Sequence, residues 1–200
     1  MQAIVEACQR EGWPARIVAV IANRSDAAGL AWAAERGIET AVVPHREFPS
    51  REAFDAALGD LIEGYRPDYI LLAGFMRVLT DGFVNRFAGR VLNIHPSLLP
   101  LFPGLHTHAQ ALEAGVQVHG CTVHFVTPVL DHGPIVAQGV VPVHTGDTPD
   151  TLADRVLQIE HVVYPAVVQW LAHGQVRLDG EKVVVEGRTT RVFGLHDAEA

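Results

Sequence analysis

Asn93 and His95 stand two residues apart at the end of the apolar run Arg90 to Ile94, just before the proline-bounded stretch Pro96 to Pro100. On a strand, that spacing puts both side chains on one face. A carboxamide can donate to a developing oxyanion, and an imidazole can give or take a proton near neutral pH. The two prolines stiffen the loop behind the pair, which suits a site that needs fixed geometry. From spacing alone, a satisfied strand-end asparagine and a surface histidine fit as well as a catalytic pair. A second polar cluster, Leu130-Asp131-His132-Gly133-Pro134, reads first as a turn between two strands. Its carboxylate gains chemical meaning only if it meets His95, where it would orient the ring and favour the protonated form.

Other clusters are less specific. Five of the 11 histidines, His106, His108, His119, His124 and His132, fall in one stretch. His106 and His108 open a helix without the i, i+4 spacing of a zinc protease, and His119 and His124 should face opposite sides of a strand. No metal site is expected. The segment Gly74-Phe75-Met76-Arg77-Val78-Leu79 follows a buried-looking run. Its glycine permits close backbone approach, and Met76, Val78 and Leu79 offer an apolar wall for a flat ring. An ordinary strand-to-helix loop fits the same residues.

These residues need elements to position them, and the apolar periodicity predicts short strands alternating with helices. Strands are expected at Arg16 to Ala22, Thr40 to Val43, Asp68 to Ala73, Arg90 to Ile94, Gln117 to Val126 and Ile135 to Val143. The last two read as neighbours in one sheet, and the run at Asp68 is apolar enough to be buried on both faces. Helices are expected at Gln2 to Arg10, Asp26 to Arg36, Ser50 to Tyr65, Thr80 to Phe87, His106 to Ala114 and Thr148 to Ala172, with Pro165 kinking the last. Two short runs, Gln175 to Leu178 and Lys182 to Glu186, flank a turn at Asp179-Gly180. Alternation of this kind points to an α/β fold: an open, mostly parallel twisted sheet flanked by helices. In such sheets ligands sit at the carboxyl ends of strands, which selects Gly74 to Leu79 and Asn93 to Pro100. No linker or repeat divides the chain, so residues 1–200 read as one domain.

The 200 residues are 48% hydrophobic and 19% charged, the balance of a globular protein. A net charge of -8 argues against a nucleic-acid partner. No apolar run reaches membrane-spanning length, and the N-terminus lacks a signal peptide. Cys8 and Cys121 match no metal or disulfide spacing. A cytoplasmic protein is expected.

The segments AGFMRVL, NIHPSLLPLFPGLHTHAQALEAG, HGCTVHFVTPVLDHGPIVAQ and EHVVYP together resemble the phosphoribosylglycinamide formyltransferases, the folate-dependent one-carbon transferases of purine (IMP) synthesis. The resemblance runs from Gln2 to about residue 172 and is weaker from Gln175 on. HPSLLP with a downstream LDxGP turn marks the folate formyltransferases as a group, and PGLHTHxQAL narrows the match to the glycinamide enzymes. It implies a Rossmann-like formyltransferase fold. It implies that Asn93 binds the oxyanion, that His95 is the catalytic histidine and that Asp131 holds it. Met76, Arg77, Val78 and Leu79, with Asn93 and Arg51, would meet the folate. Gly74 and Glu160 would meet the amine substrate. The formyl donor would be 10-formyltetrahydrofolate, the acceptor glycinamide ribonucleotide, with no metal, no nucleic acid and no membrane, in a monomer or homodimer.

One departure stands out. The family begins with a strand and a Gly-Ser-Asn-type loop that cradles the substrate phosphate, whereas this chain opens directly in a helix, with Met1 where the family commonly has leucine. The expectation is an N-terminally truncated chain whose full form starts upstream. Without that segment, a central strand and a phosphate site would be lacking, and stability and amine-substrate affinity would suffer. Two rival readings are a formyltetrahydrofolate deformylase, which tends to read HHSFLP and carries a regulatory domain, and a non-catalytic folate- or nucleotide-binding remnant. Methionyl-tRNA formyltransferase is disfavoured by length and charge.

Overall fold

Local signals in the sequence start and stop most of the helices. The computed structural model describes residues 1–194; the acidic tail from His196 to Ala200 lies outside the described residues. Helix α1 (Gln2–Glu11) ends on Gly12 at φ 63, and α2 (Ala28–Ala34) is followed by Gly37 at φ 70. At α3 (Arg51–Tyr65) the Ser50 hydroxyl accepts from the Ala53 N–H, and at α4 (Asp81–Arg86) Thr80 does the same for Phe83. Helix α5 (Thr107–Glu113) follows His106, and α6 (Pro149–Ala172) opens on a reciprocal cap between Thr148 and Thr151 with Pro149 in its first turn. Each cap satisfies a backbone group that the helix end would otherwise leave unbonded. Helix α6 runs on through Pro165 to Ala172 as one element. No helix among the described residues is long and apolar enough to cross a membrane.

Among the described residues nine strands accompany them: β1 (Val20–Ala22), β2 (Thr40–Val42), β3 (Ile70–Leu72), β4 (Val91–His95), β5 (Val118–Phe125), β6 (Ile135–Pro142), β7 (Val176–Asp179), β8 (Lys182–Val185) and β9 (Val192–Gly194). The main sheet has the order β3-β4-β5-β6-β9. Strands β3, β4, β6 and β9 run one way and only β5 runs against them, so the sheet is mostly parallel, as expected. The two long strands are indeed neighbours, paired from Val118 with Pro142 to His124 with Ile135, with a register shift between Val123 and His124. Strands β1 and β2 form a separate parallel pair, and β7 and β8 a hairpin. The short β9 was not anticipated.

Two expected strands come out shorter and less buried. Only Val20–Ala22 of the run from Arg16, and only Ile70–Leu72 of the run from Asp68, are paired, and all six residues are half-buried rather than enclosed on both faces. The reason is that each has one bonded neighbour, β2 or β4, and none on its other edge.

The core lies on both sides of β4. On one side Leu92 joins Cys121, Val123, Val136 and Val141 under α6, whose Leu152, Val156, Ile159, Val163 and Val167 form the apolar stripe. On the other, Val91 joins Phe54, Leu58, Phe83 and Phe87 of the α3–α4 layer. The Tyr164 hydroxyl sits 3.0 Å from the Leu72 carbonyl and 3.2 Å from that of Leu92, donating across the ends of β3 and β4.

Candidate active site

Strand β4 sets the site. Val91 and Leu92 are buried in the core, which fixes the strand and delivers Asn93 and His95 at its carboxyl end. Asn93 lies opposite His124 of β5, and His95 opposite Thr122. Among the described residues the Asn93 carboxamide makes no hydrogen bond, so its donors are available to a ligand.

His95 is 5% exposed and held from two sides. Its Nε2 is 2.9 Å from the Phe102 carbonyl, and its Nδ1 is 3.5 Å from Asp131 Oδ2. A carbonyl can only accept, so Nε2 donates to Phe102, and Nδ1 is the ring nitrogen that faces the carboxylate. Asp131 Oδ2 also accepts from the Gly104 N–H at 2.8 Å, which ties the turn after β5 to the loop after β4. The aspartate and histidine are 36 residues apart in sequence (131 minus 95), and the structure brings them together.

The loop from Pro96 to His106 is tightly bonded. Ser97 Oγ donates to the Leu101 carbonyl at 2.6 Å, and Thr122 Oγ1 donates to the Ser97 carbonyl at 2.7 Å. Gln138 reaches both Leu99 and Thr122, and Thr107 donates to Pro96. Phe102, His106 and Asp131 adopt positive φ (53, 59 and 51), a region costly for side-chain-bearing residues and enriched at functional sites. Gly133 completes the turn because a Cβ there would overlap the Phe125 carbonyl.

Three further histidines surround the pair. Burial pushes His119 down to about 4, with His108 and His95 adding to the effect. His108 and His124 are also lowered, chiefly by burial. Burial therefore favours the neutral ring in all three; Asp131 acts on both His124 and His95, and lies 3.5 Å from His95 Nδ1. His108 and His119 meet edge to face, centroids 5.4 Å apart. Among the described residues no group of His, Cys, Asp or Glu is placed to hold a metal ion.

The remaining expected residues lie around this centre. Gly74 takes φ 68 two residues after β3, the strand beside β4. Met76 and Val78 are exposed at 80% and 50%, Leu79 is buried, and Arg77 packs over the Phe54 ring at 5.1 Å. Arg51 is an exposed residue in the first turn of α3, with no contact to the Asn93–His95–Asp131 group. Glu160 on α6 lies near the Met1 ammonium; burial pushes its carboxyl up to about 7 against that charge. Sequence reasoning missed the Phe102 carbonyl, the Gly104 N–H and the Ser97–Thr122–Gln138 bracing. Backbone groups and long-range bonds leave no residue-type signal.

An α/β sheet ending in a carboxamide beside a carboxylate-paired imidazole has the equipment of a group-transfer enzyme. A family model described as formyl transferase matches residues 1–168. The chain is 47% identical over 194 residues to the phosphoribosylglycinamide formyltransferase of Escherichia coli (strain K12), covering 94% of this chain and 92% of that relative. It is 46% identical over 178 residues to the trifunctional purine biosynthetic protein adenosine-3 of Bos taurus, covering 89% of this chain and 18% of that larger protein. Among solved structures, the phosphoribosylglycinamide formyltransferase of Coxiella burnetii superposes with a TM-score of 0.89 at 45% identity, covering 96% of this chain and 92% of that one. The chain belongs to the formyl transferase family.

Proposed function

We propose that this chain transfers the formyl group of 10-formyltetrahydrofolate to the primary amine of 5-phosphoribosylglycinamide in de novo purine synthesis, with Asn93, His95 and Asp131 as the catalytic group. The observation that carries the reading is the meeting of Asp131 with His95 Nδ1 on the strand that also presents Asn93. The amine lone pair forms the new C–N bond to the formyl carbon, and the carbonyl π pair moves onto oxygen. Asn93 donates to that oxyanion, and the charge of a protonated His95, paired with Asp131, stabilises it. The nitrogen that attacked gives up a proton, the folate nitrogen gains one, and the old C–N bond breaks as the carbonyl re-forms. Loss of one oxyanion donor typically costs about 10²–10³ in rate, and loss of acid–base help about 10²–10⁴. Met76, Arg77, Val78 and Leu79, with Arg51, would hold the folate, and Gly74 and Glu160 the amine substrate.

Formyl transfer measured with and without glycinamide ribonucleotide tests this. His95→Ala should lower kcat by about 10²–10⁴ while leaving folate binding largely intact; full activity would refute the assignment. Transfer to water alone would favour the deformylase. No turnover, even by a chain extended at its N-terminus, would favour a non-catalytic remnant.

A further inference from the structure

Helix α6 lies mainly over β5 and β6. It is pressed closest at Gly139 of β6, where a Cβ would come within 2.6 Å of Ile159 and 2.8 Å of Val163. The next residue, Tyr164, reaches sideways instead. Its ring is buried, and its hydroxyl lies 3.0 Å from the Leu72 carbonyl of β3 and 3.2 Å from the Leu92 carbonyl of β4. Burial pushes the phenol up from its ordinary range, so the hydroxyl keeps its proton and shares it between the two acceptors.

Those two carbonyls are already served. Leu72 pairs with Asn93 in the parallel ladder, and the Ile70 N–H, donating to the Arg90 carbonyl at 2.8 Å, fixes its phase. In that phase the Leu72 N–H bonds to the Leu92 carbonyl, and the Ile94 N–H to the Leu72 carbonyl. A carbonyl has two lone pairs, so the hydroxyl is a second donor to each. It rescues no orphaned group. What it adds is geometry, because it pins the ends of β3 and β4 where Leu92 hands over to Asn93. The helix side is fixed by the same residue. Glu160 lies four residues before Tyr164, on the same face of α6. Pro165 has no N–H to give to the His161 carbonyl. The turn from Glu160 to Tyr164 thus loses one helical bond at its end and gains the hydroxyl's.

We propose that Tyr164 is a positioning residue for the group transfer: its hydroxyl holds β3, β4 and the Glu160 turn in one register, and so sets where the Asn93 carboxamide meets the developing oxyanion. The kinetic consequence rests on the formyl-transfer reading; the effect on the strand ends does not.

The test is Tyr164→Phe, which keeps the ring and drops the oxygen, made alone and together with Asn93→Ala in the 200-residue chain. Tm should fall by only about 2–4 °C, the effect of one net hydrogen bond in a chain of this size. Amide exchange should quicken by about tenfold at Leu72 and Ile94 and stay unchanged at Val141 of β6. kcat should fall by about tenfold, less than the loss of about 10²–10³ for a deleted oxyanion donor, while KM for the folate changes by less than about twofold. With Asn93→Ala already present, Tyr164→Phe should lower kcat by less than about twofold more, because the donor it positions is gone. Unchanged exchange at Leu72 and Ile94, exchange quickened equally at Val141, unchanged kcat in an active chain, or a loss that multiplies fully with that of Asn93→Ala would overturn the proposal. If the parent chain transfers no formyl group, the formyl-transfer reading fails by itself and exchange decides: quickening confined to Leu72 and Ile94 supports the positioning role, and its absence overturns it.

Discussion

Strands β1 (VIA) and β3 (ILL) are wholly apolar while β5 and β6 carry His, Thr and Gln among their apolar residues, yet it is the longer pair that is enclosed. Cys121, Val123, Val136 and Val141 are 0% exposed, whereas every residue of β1 and β3 is only half-buried. The long pair has bonded neighbours on both edges and α6 across it; each short strand has one bonded edge and a cavity on the other. Side-chain apolarity is therefore not enough to enclose a strand. A strand is sealed when the next strand brings its own side chains over both faces.

Core truncation should reveal the contrast most strongly. Ile159→Ala, under β5 and β6, should cost about 2–5 kcal/mol. Ile21→Ala in β1 should cost about 1 kcal/mol, because much of that side chain is already wetted. Denaturant midpoints at unchanged m-value measure both, and equal losses would break the comparison.

Two buried titratable groups should also answer pH with opposite signs. His119 on β5 is pushed by burial to about 4. The unfolded chain, with its histidine near 6.5, then binds more protons between those values. Stability contributed by the neutral ring is complete above about 6.5 and is lost as pH falls toward 4, by roughly 2–3 kcal/mol. His119→Gln should flatten Tm over that window. Glu160, beside Met1, is raised to about 7 by burial. Its cost is absent below about 4.5, where both states are protonated, grows as pH rises from there to about 7, and is complete above that. Glu160→Gln should therefore stabilise the protein at pH 8, by a comparable amount of roughly 2–3 kcal/mol seen as a raised Tm, and leave it unchanged at pH 4. If His119→Gln raises Tm at pH 8 rather than at pH 4, or Glu160→Gln at pH 4 rather than at pH 8, the electrostatic distinction between the two groups fails.

Much of this arrangement was readable from local chemistry. Ser50, Thr80 and Thr148 announce their helices because a hydroxyl at that position meets a free N–H two or three residues on. Asn93 and His95 announce a shared face because strand side chains alternate. The meeting of Asp131 with His95 was not readable from spacing, since it depends on β4, β5 and β6 pairing in one register. The resemblance, not the pattern, supplied it. Strand extents at 16–22 and 68–73 were overread because an apolar run states what a segment would bury and not which neighbour buries it. Strand β9 was missed because Val192–Gly194 is short and its pairing partner, β6, is more than fifty residues earlier.

Asp131 carries two demands at once. Its backbone sits at φ 51, a conformation that asparagine and aspartate tolerate better than other side-chain-bearing residues, while its carboxylate faces His95 and the Gly104 N–H. Asparagine would keep the bend and lose the charge. Glutamate would keep the charge and strain the bend. Within the standard alphabet only aspartate meets both conditions, so the position has a vocabulary of one letter, set jointly by the path of the chain and by the ring it has to face.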